Sequence, residues 1–383
     1  MRVLALSLRK AGADVRTLSL NPGKHRADPS DLPDEACDLR LETIDVDTSV
    51  RVFGALRSLA LGTSYNVERF YSKPFETRLR QVVRDDAPDV VLLESLFMVP
   101  YVPALREATG ARLVLRSVNV EHEIWEGLAK GERGIARRLY LGHLARRLRE
   151  FEVATLNDVD AIAAVTQEDA GTYARLGATV ALHVAPVGIE ACEYPDRSGL
   201  GAPLTLSFLG SLDWRPNLEA VTWFLQNVWP MVRRAVPRAR FHIGGSNPPA
   251  DLARRLGAEG VRFLGRVPDA REFLASGAAM VVPLRSGGGM RVKILEAMAL
   301  GVPVVSSHLG ATGIGALDGT EILLADGPEG LAAACVSLLL EQDRAVAIGR
   351  AGRRRVHETF DADGIGRRFV EFLELLVARR RPT

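Results

Sequence analysis

Val281 to Ser306 reads VVPLRSGGGMRVKILEAMALGVPVVS, and the order of its parts decides the fold. A short apolar run, a polar glycine turn, a stretch of helical period and a second apolar run make one strand–helix–strand unit. Ser286, Gly287, Gly288 and Gly289 put almost no side chain in the way of the backbone. They lead into a helix start, where the first N–H groups have no partner inside the helix. Helix starts favour acidic residues because of the dipole, yet this one carries Arg291 and Lys293 and no acid in its first turn. Exposed amides and two cations at a helix N-terminus form an anion site, so a phosphate or diphosphate is expected there. Lys293 and Glu296 are three apart and share a helix face, while Val292, Leu295, Met298 and Ala299 are expected to pack on the sheet. A carboxylate one turn beyond a phosphate can accept hydrogen bonds from a ribose, which would lay a nucleotide across this helix. The alternative, a surface Lys–Glu pair worth a few tenths of a kcal/mol (~0.3), leaves the glycines unexplained.

The glycine turn, the run R-V-K-I-L-E-A-M-A-x-G-x-P-V-V-S and the following Gly310-Ala311-Thr312-Gly313 resemble the donor-binding segment of family 4 retaining glycosyltransferases of the GT-B fold. Phe208 to Asn217, FLGSLDWRPN, resembles the first strand and loop of their C-terminal domain. Val187-Gly188-Ile189-Glu190 resembles the P-x-G-I/V-D that closes their N-terminal domain. The resemblance implies an α/β chain of two Rossmann-like domains facing each other across a cleft. Residues 1–194 would be the acceptor side, 195–203 a linker, 204–360 the donor-binding domain, and 361–383 a C-terminal helix crossing back to the first domain. The implied activity moves a sugar, with retention, from a nucleotide diphosphate sugar to a carbohydrate or lipid-linked acceptor in polysaccharide or glycoconjugate biosynthesis. Neither cofactor nor divalent metal is expected. The alternatives are a degenerate GT-B protein that binds a nucleotide sugar or partner without turnover, and a GT-B epimerase or phosphorylase.

Composition agrees with two globular cores. The chain has 383 residues, 47% hydrophobic and 25% charged, which exceeds one typical domain. A net charge of +2 is too small a bias for a nucleic-acid partner. Nearly all cations are Arg; the lysines are Lys10, Lys24, Lys73, Lys130 and Lys293, so a lysine late in the chain is expected to serve chemistry. Cys37, Cys192 and Cys335 are far apart and odd in number, which points to a reducing compartment without a disulfide framework or zinc site. No apolar run approaches the ~18 residues of a membrane span. A cytoplasmic chain, peripheral to a membrane at most, is expected, with its oligomeric state left open.

Along the chain, Val3 to Lys10 reads as a helix stopped at Gly12, because too few residues separate it from the strand Asp14 to Leu20 for a parallel crossover. In the resembling family a strand and a glycine-rich loop precede this helix, so the N-terminal domain is expected to lack its first strand. Arg40 to Val46 reads as a strand, and Val50 to Leu61 and Val67 to Arg84 as helices. Asp89 to Glu94 and Arg112 to Val118 read as buried parallel strands. Ile135 to Val153 is an amphipathic helix with Ile135, Leu139, Leu144, Leu148 and Phe151 on one face and five arginines around it. It reads either as a solvated face or as a peripheral contact with an anionic lipid surface. After Pro195 to Pro203, strands and helices alternate, including a helix over Leu218 to Val236 and another over Pro249 to Leu256.

Candidate site residues follow from both lines. Glu94 ends its strand at the carboxyl edge where open α/β sheets bind ligands, and Glu94 and Asn119 are assigned to the acceptor side. His122, on the loop or first helical turn after the next strand, is the acid/base candidate of this half. The family motif R-x-H-N-V-E has Val118 at its histidine position, so that role is not carried over. By resemblance Gly210, Ser211 and Asn217 reach the diphosphate or sugar, while Gly265, Arg266 and Val267 frame the base. Gly287, Gly288, Gly289, Met290 and Glu296 are implied to hold phosphate and ribose, and Lys293 and Arg291 to stabilise the leaving group. The family's E-x7-E pair keeps Glu296 but has Gly288 in the first place. Asp45-Val46-Asp47 has the D-x-D spacing of a metal motif but ends a strand of the wrong half, so no metal site is assigned.

Overall fold

A computed structural model describes residues 2–23, 39–49, 64–132, 134–248 and 259–379. The helices expected over 50–61 and 249–256, and Cys37, lie outside them. The chain divides into two compact units, Met1–Pro186 with Asp363–Thr383, and Val187–Ala362.

The first unit opens with the helix Arg2–Lys10, and β1 (Leu18–Pro22) and β2 (Glu42–Val46) pair in parallel as a sheet of their own. β3 (Val90–Glu94), β4 (Arg112–Ser117), β5 (Ala161–Ala164) and β6 (Ala181–Val184) form a four-stranded parallel sheet in chain order. One face is covered by Leu4 and Leu8 together with Phe369 and Leu376 of the helix Ala362–Ala378. The single helix expected over 67–84 is instead two, Tyr65–Glu68 and Lys73–Asp86. The break has a local cause: Ser72 caps the second helix by accepting from the Phe75 N–H, and Pro74 stands in its first turn.

In the second unit β7 (Ala202–Leu209), β8 (Arg240–Gly244), β9 (Val261–Gly265), β10 (Gly277–Val282), β11 (Val304–Ser306) and β12 (Leu323–Leu324) run parallel in the order β12-β11-β10-β7-β8-β9. This is the doubly wound arrangement in which the first strand lies at the centre and the order reverses beside it. The strand of the quoted stretch is thus mostly Gly277–Val282, and its helix is Val292–Ala299. Ile294, Leu295, Ala297, Met298 and Ala299 are buried, whereas Val292 is exposed. The expected single stripe is therefore corrected: the helix Gln342–Thr359 packs on it as well as the sheet, so Ile294 is covered too. Ile294, Leu295 and Met298 each contribute about 2 kcal/mol by burial. The helix expected over 218–236 divides at Val228 into Arg215–Asn227 and Trp229–Ala235, with Pro230 in the first turn of the second.

The boundaries differ from those expected. The first unit ends at Pro186 rather than at 194, because Ile189 already belongs to the second: its N–H donates to Phe360 O and its carbonyl accepts from Ala362 N–H, at 2.8 and 3.0 Å. The expected linker over 195–203 is partly ordered structure, since β7 begins at Ala202.

Candidate active site

The reversal of strand order falls between β7 and β10, and their carboxyl ends deliver the two loops that matter. Lys293, in the first turn of the helix Val292–Ala299, ties these loops together. Its Nζ donates to Leu209 O and to Asn217 Oδ1, each at 2.9 Å, and lies 4.5 Å from the centre of the Phe208 ring. Asn217 Nδ2 in turn donates to Ser211 O at 2.9 Å. A Cβ at Gly210 would fall 2.6 Å from Asn217 Nδ2 and 3.0 Å from Lys293 Nζ, so a larger residue there would displace this pair.

The glycine turn is shaped around Arg291, which occupies the N-cap position without capping the helix through its side chain. Its guanidinium lies 5.3 Å from the centre of the Trp214 ring and donates through Nη1 to Gly288 O. Gly287 takes φ of +102°, and a Cβ there would crowd both Arg291 Nη2 and the Trp214 ring. Arg291 is 7% exposed, and its Nε and Nη2 are buried with no hydrogen-bond partner. Burial pulls the Arg291 guanidinium down to about 10. It pulls the Lys293 ammonium down to about 7, with the charge of Arg291 adding to the effect and that of Glu296 opposing it. Two desolvated cations two residues apart, partnered by carbonyls, an amide oxygen and aromatic rings, concentrate positive charge at this helix start.

Glu296 lies one turn along the same helix. Its Oε1 accepts from the Tyr194 hydroxyl at 3.2 Å. Burial raises its carboxyl above the usual range, while Tyr194, Arg271 and Lys293 act against that rise. At the ends of β8 and β9 an open pocket of about 500 Å³ is lined by Gly245, Ser246, Asn247, Pro248, Gly265 and Arg266. Ser211 Oγ joins it to the β7 loop, 3.0 Å from Ser246 Oγ and 2.6 Å from Asp213 Oδ1. Val267 and Met290 lie partly buried against the core instead of lining this pocket, because each is apolar and the core is adjacent. The structure thus brings Gly210, Asn217, Gly287, Gly288, Arg291 and Lys293 together, with Gly289 at φ +78° completing the turn. Trp214, Tyr194, Ser246 and Asn247 are additions that sequence reasoning missed; only Trp214, beside Arg215 in the loop after β7, carried a visible signal.

In the first unit, Glu94 accepts from Arg116 Nη1 at 3.0 Å across the β3–β4 ends. The expectation for His122 is corrected. It starts the helix Glu121–Lys130, but its ring is 4% exposed and its Nδ1 lies 2.7 Å from Glu152 Oε2. One ring nitrogen is thus engaged by Glu152, where the sequence alone leaves the histidine free on the loop or first helical turn. Asn119 contributes its carbonyl, which accepts from Ser117 Oγ at 2.6 Å. Among the described residues no group of three or more His, Cys, Asp or Glu could hold a metal ion.

Comparison with known proteins agrees with this construction. The chain matches the family models for glycosyl transferases group 1 over residues 203–341 and for the glycosyl transferase 4-like domain over residues 1–188. It is 26% identical over 324 residues to the GDP-mannose-dependent alpha-(1-6)-phosphatidylinositol monomannoside mannosyltransferase of Mycobacterium tuberculosis, covering 78% of this chain and 79% of that one. A monoacylated-substrate counterpart from Corynebacterium glutamicum is 31% identical over 164 residues, 38% of this chain and 41% of that one. The fold is shared with sucrose-phosphate synthase from Thermosynechococcus elongatus (TM-score 0.72, 16% identity, covering 98% of this chain and 92% of that one). It is also shared with Anabaena HepE in complex with UDP-glucose (TM-score 0.66, 15% identity, covering 98% and 95%). The two Rossmann-like units and the family matches over both halves identify the chain as a group 1, family 4 glycosyltransferase of the GT-B fold.

Proposed function

We propose that this enzyme transfers a hexose, with retention of configuration, from a nucleoside diphosphate sugar to a hydroxyl of a lipid-linked glycan. The observation that carries the reading is Arg291, buried with two donor nitrogens lacking partners, beside the desolvated ammonium of Lys293. As the bond between the anomeric carbon and the phosphate oxygen breaks, negative charge grows on the diphosphate, and these two cations stabilise it where water is excluded. The departing phosphate oxygen then takes the proton of the acceptor hydroxyl on the same face, which preserves the configuration. Charge neutralisation is assigned to protein cations, so no divalent metal is required. Glu296 is assigned to the ribose and the pocket at Ser246 and Arg266 to the base.

The mannosyltransferase relatives support GDP-mannose as the first donor to test and an inositol glycolipid as the first acceptor. A thermal-shift screen of GDP-, UDP-, ADP- and TDP-sugars tests the donor. At a hundredfold excess over Kd the right one adds about 2.7 kcal/mol to the folded state, a rise of several degrees. No shift with any sugar nucleotide at millimolar concentration sinks the proposal.

Access to such an acceptor is assigned to the helix Ile135–Thr155. Ile135 and Leu139 are 69% and 68% exposed near Arg137 and Arg138, while Leu148 on the same helix is buried. This supports docking of its first turns on an anionic lipid surface. Among the described residues no helix is long and apolar enough to cross a membrane. The chain is expected to float with vesicles containing phosphatidylserine and not with neutral ones, and the double change Ile135→Glu, Leu139→Glu should abolish flotation. Equal flotation of wild type and variant removes this assignment.

A further inference from the structure

Glu296 shares a helix face with Lys293 but does not pair with it. The ammonium is engaged by Leu209 O and Asn217 Oδ1, and the carboxylate finds its partner elsewhere: Oε1 accepts from the Tyr194 hydroxyl at 3.2 Å. Oε2 accepts no hydrogen bond among the described residues and is open to solvent. The phenol is not needed to close the helix Val292–Ala299. That end is closed by backbone, the Leu300 N–H donating to Glu296 O and the Gly301 N–H to Met298 O.

Tyr194 is itself held. Residues 193–197 run as a strap past the C-terminal end of this helix and are fastened at three points: Arg271 Nη1 donates to Glu193 O at 3.3 Å, Arg353 Nη1 to Tyr194 O at 2.7 Å, and the Arg197 N–H to Leu300 O at 2.8 Å. Arg353 Nη1 also donates to Ala299 O, a carbonyl of the last turn, where the helix dipole favours a cation. One guanidinium therefore joins the helix that carries Glu296 to the residue that grips it. The Tyr194 ring packs against the core that contains Leu295 and Met298, which limits where its hydroxyl can point.

We propose that Tyr194 is a positioning residue of the nucleotide site, holding Glu296 by Oε1 so that Oε2 is presented to the vicinal hydroxyls of the ribose. The inference rests on the assignment of Glu296 to the ribose and adds a residue that acts through it. A glutamate side chain has several rotatable bonds, and ordering them before the nucleotide arrives removes that cost from binding. Burial raises the Glu296 carboxyl, and the Tyr194 hydroxyl works against the rise. The group is thereby kept nearer its charged form, which accepts from hydroxyls most strongly.

The test measures, by calorimetry on the full chain, the affinities for GDP and UDP, each against its 2′,3′-dideoxy counterpart, which lacks the hydroxyls. Wild type should prefer the ribose form of at least one nucleotide by at least about tenfold, the scale of hydrogen bonds to a charged group. Tyr194→Phe keeps the ring and loses the hydroxyl; it should cut that preference at least about threefold while the dideoxy affinity holds within about twofold. In a Glu296→Ala background Tyr194→Phe should change the preference no further, because its effect passes through the carboxylate. An unchanged preference in Tyr194→Phe, a loss shared equally by ribose and dideoxy forms, or an effect that persists without Glu296 overturns the proposal and leaves the ribose assignment standing. Equal affinity of wild type for both forms, or binding of neither nucleotide, removes the ribose assignment and the proposal with it.

Discussion

Lys293→Ala is expected to lower turnover at least about 100-fold, the scale of losing one preorganised charge stabiliser, with the protein still folded. The ammonium is held by Leu209 O and Asn217 Oδ1, so in the proposed reaction it would meet the leaving group without first being ordered. Its loss leaves two acceptors near the end of β7 but also removes a desolvated charge, so stability changes little. Lys293→Arg should not rescue, because the planar fork cannot occupy the place of a compact ammonium against Gly210. Turnover within threefold of wild type would show that the charge is handled elsewhere.

The same lysine predicts proton uptake on binding. Its folded-state value, lowered to about 7, lies below that of the unfolded chain, so between roughly pH 7 and 10 the unfolded state holds more protons. Stability linked to Lys293 therefore rises with pH through that window, and the destabilising effect is complete below it. A bound diphosphate restores the ammonium. Nucleotide affinity should thus fall by up to about tenfold per pH unit above 7 until the bound form itself titrates. Calorimetry in buffers of different ionisation enthalpy reads the proton directly, and pH-independent affinity from 7 to 9 contradicts the assignment.

Glu152→Ala carries the largest expected effect on stability, a loss of about 3–5 kcal/mol. The carboxylate is fully buried and accepts from two backbone N–H groups and a phenol while facing an imidazole. Removing it strands all of them, at about 1–3 kcal/mol for each neutral group and less than additively. For a unit of this size the melting temperature should drop on the order of 10 °C. Glu152→Gln, which keeps the size and one acceptor, should lose less than half as much. Urea unfolding of the two variants decides the matter: an alanine variant within 1 kcal/mol (about one ordinary hydrogen bond) of wild type means the network is decoration.

The sequence made the βαβ unit of the second half readable because its signals are local. Gly287 to Glu296 carries a turn, a helix start and two cations within one short run, and their meaning survives without knowing what lies opposite. Arg291 stacked on Trp214, and Tyr194 on Glu296, join residues 77 and 102 positions apart, which no period or spacing encodes. His122 and Glu152, 30 positions apart and 2.7 Å from each other, are hidden for the same reason. Helix interruptions at Ser72-Lys73-Pro74 and Trp229-Pro230 were written in the sequence, but apolar periodicity on both sides masked them.

Ile189 bridges Asp361, and its hydrogen bonds to Phe360 and Ala362 close the second unit on itself: the segment entering it and the segment leaving it run side by side. At Gly188 they are so near that a Cβ would meet Ala362 Cα at 2.7 Å. A module whose two ends are already stitched together can be lifted out of one chain and set into another without stretching either host. The second unit is in that sense a cartridge, its entry at 187 and its exit at 362 already joined whatever chain lies on either side.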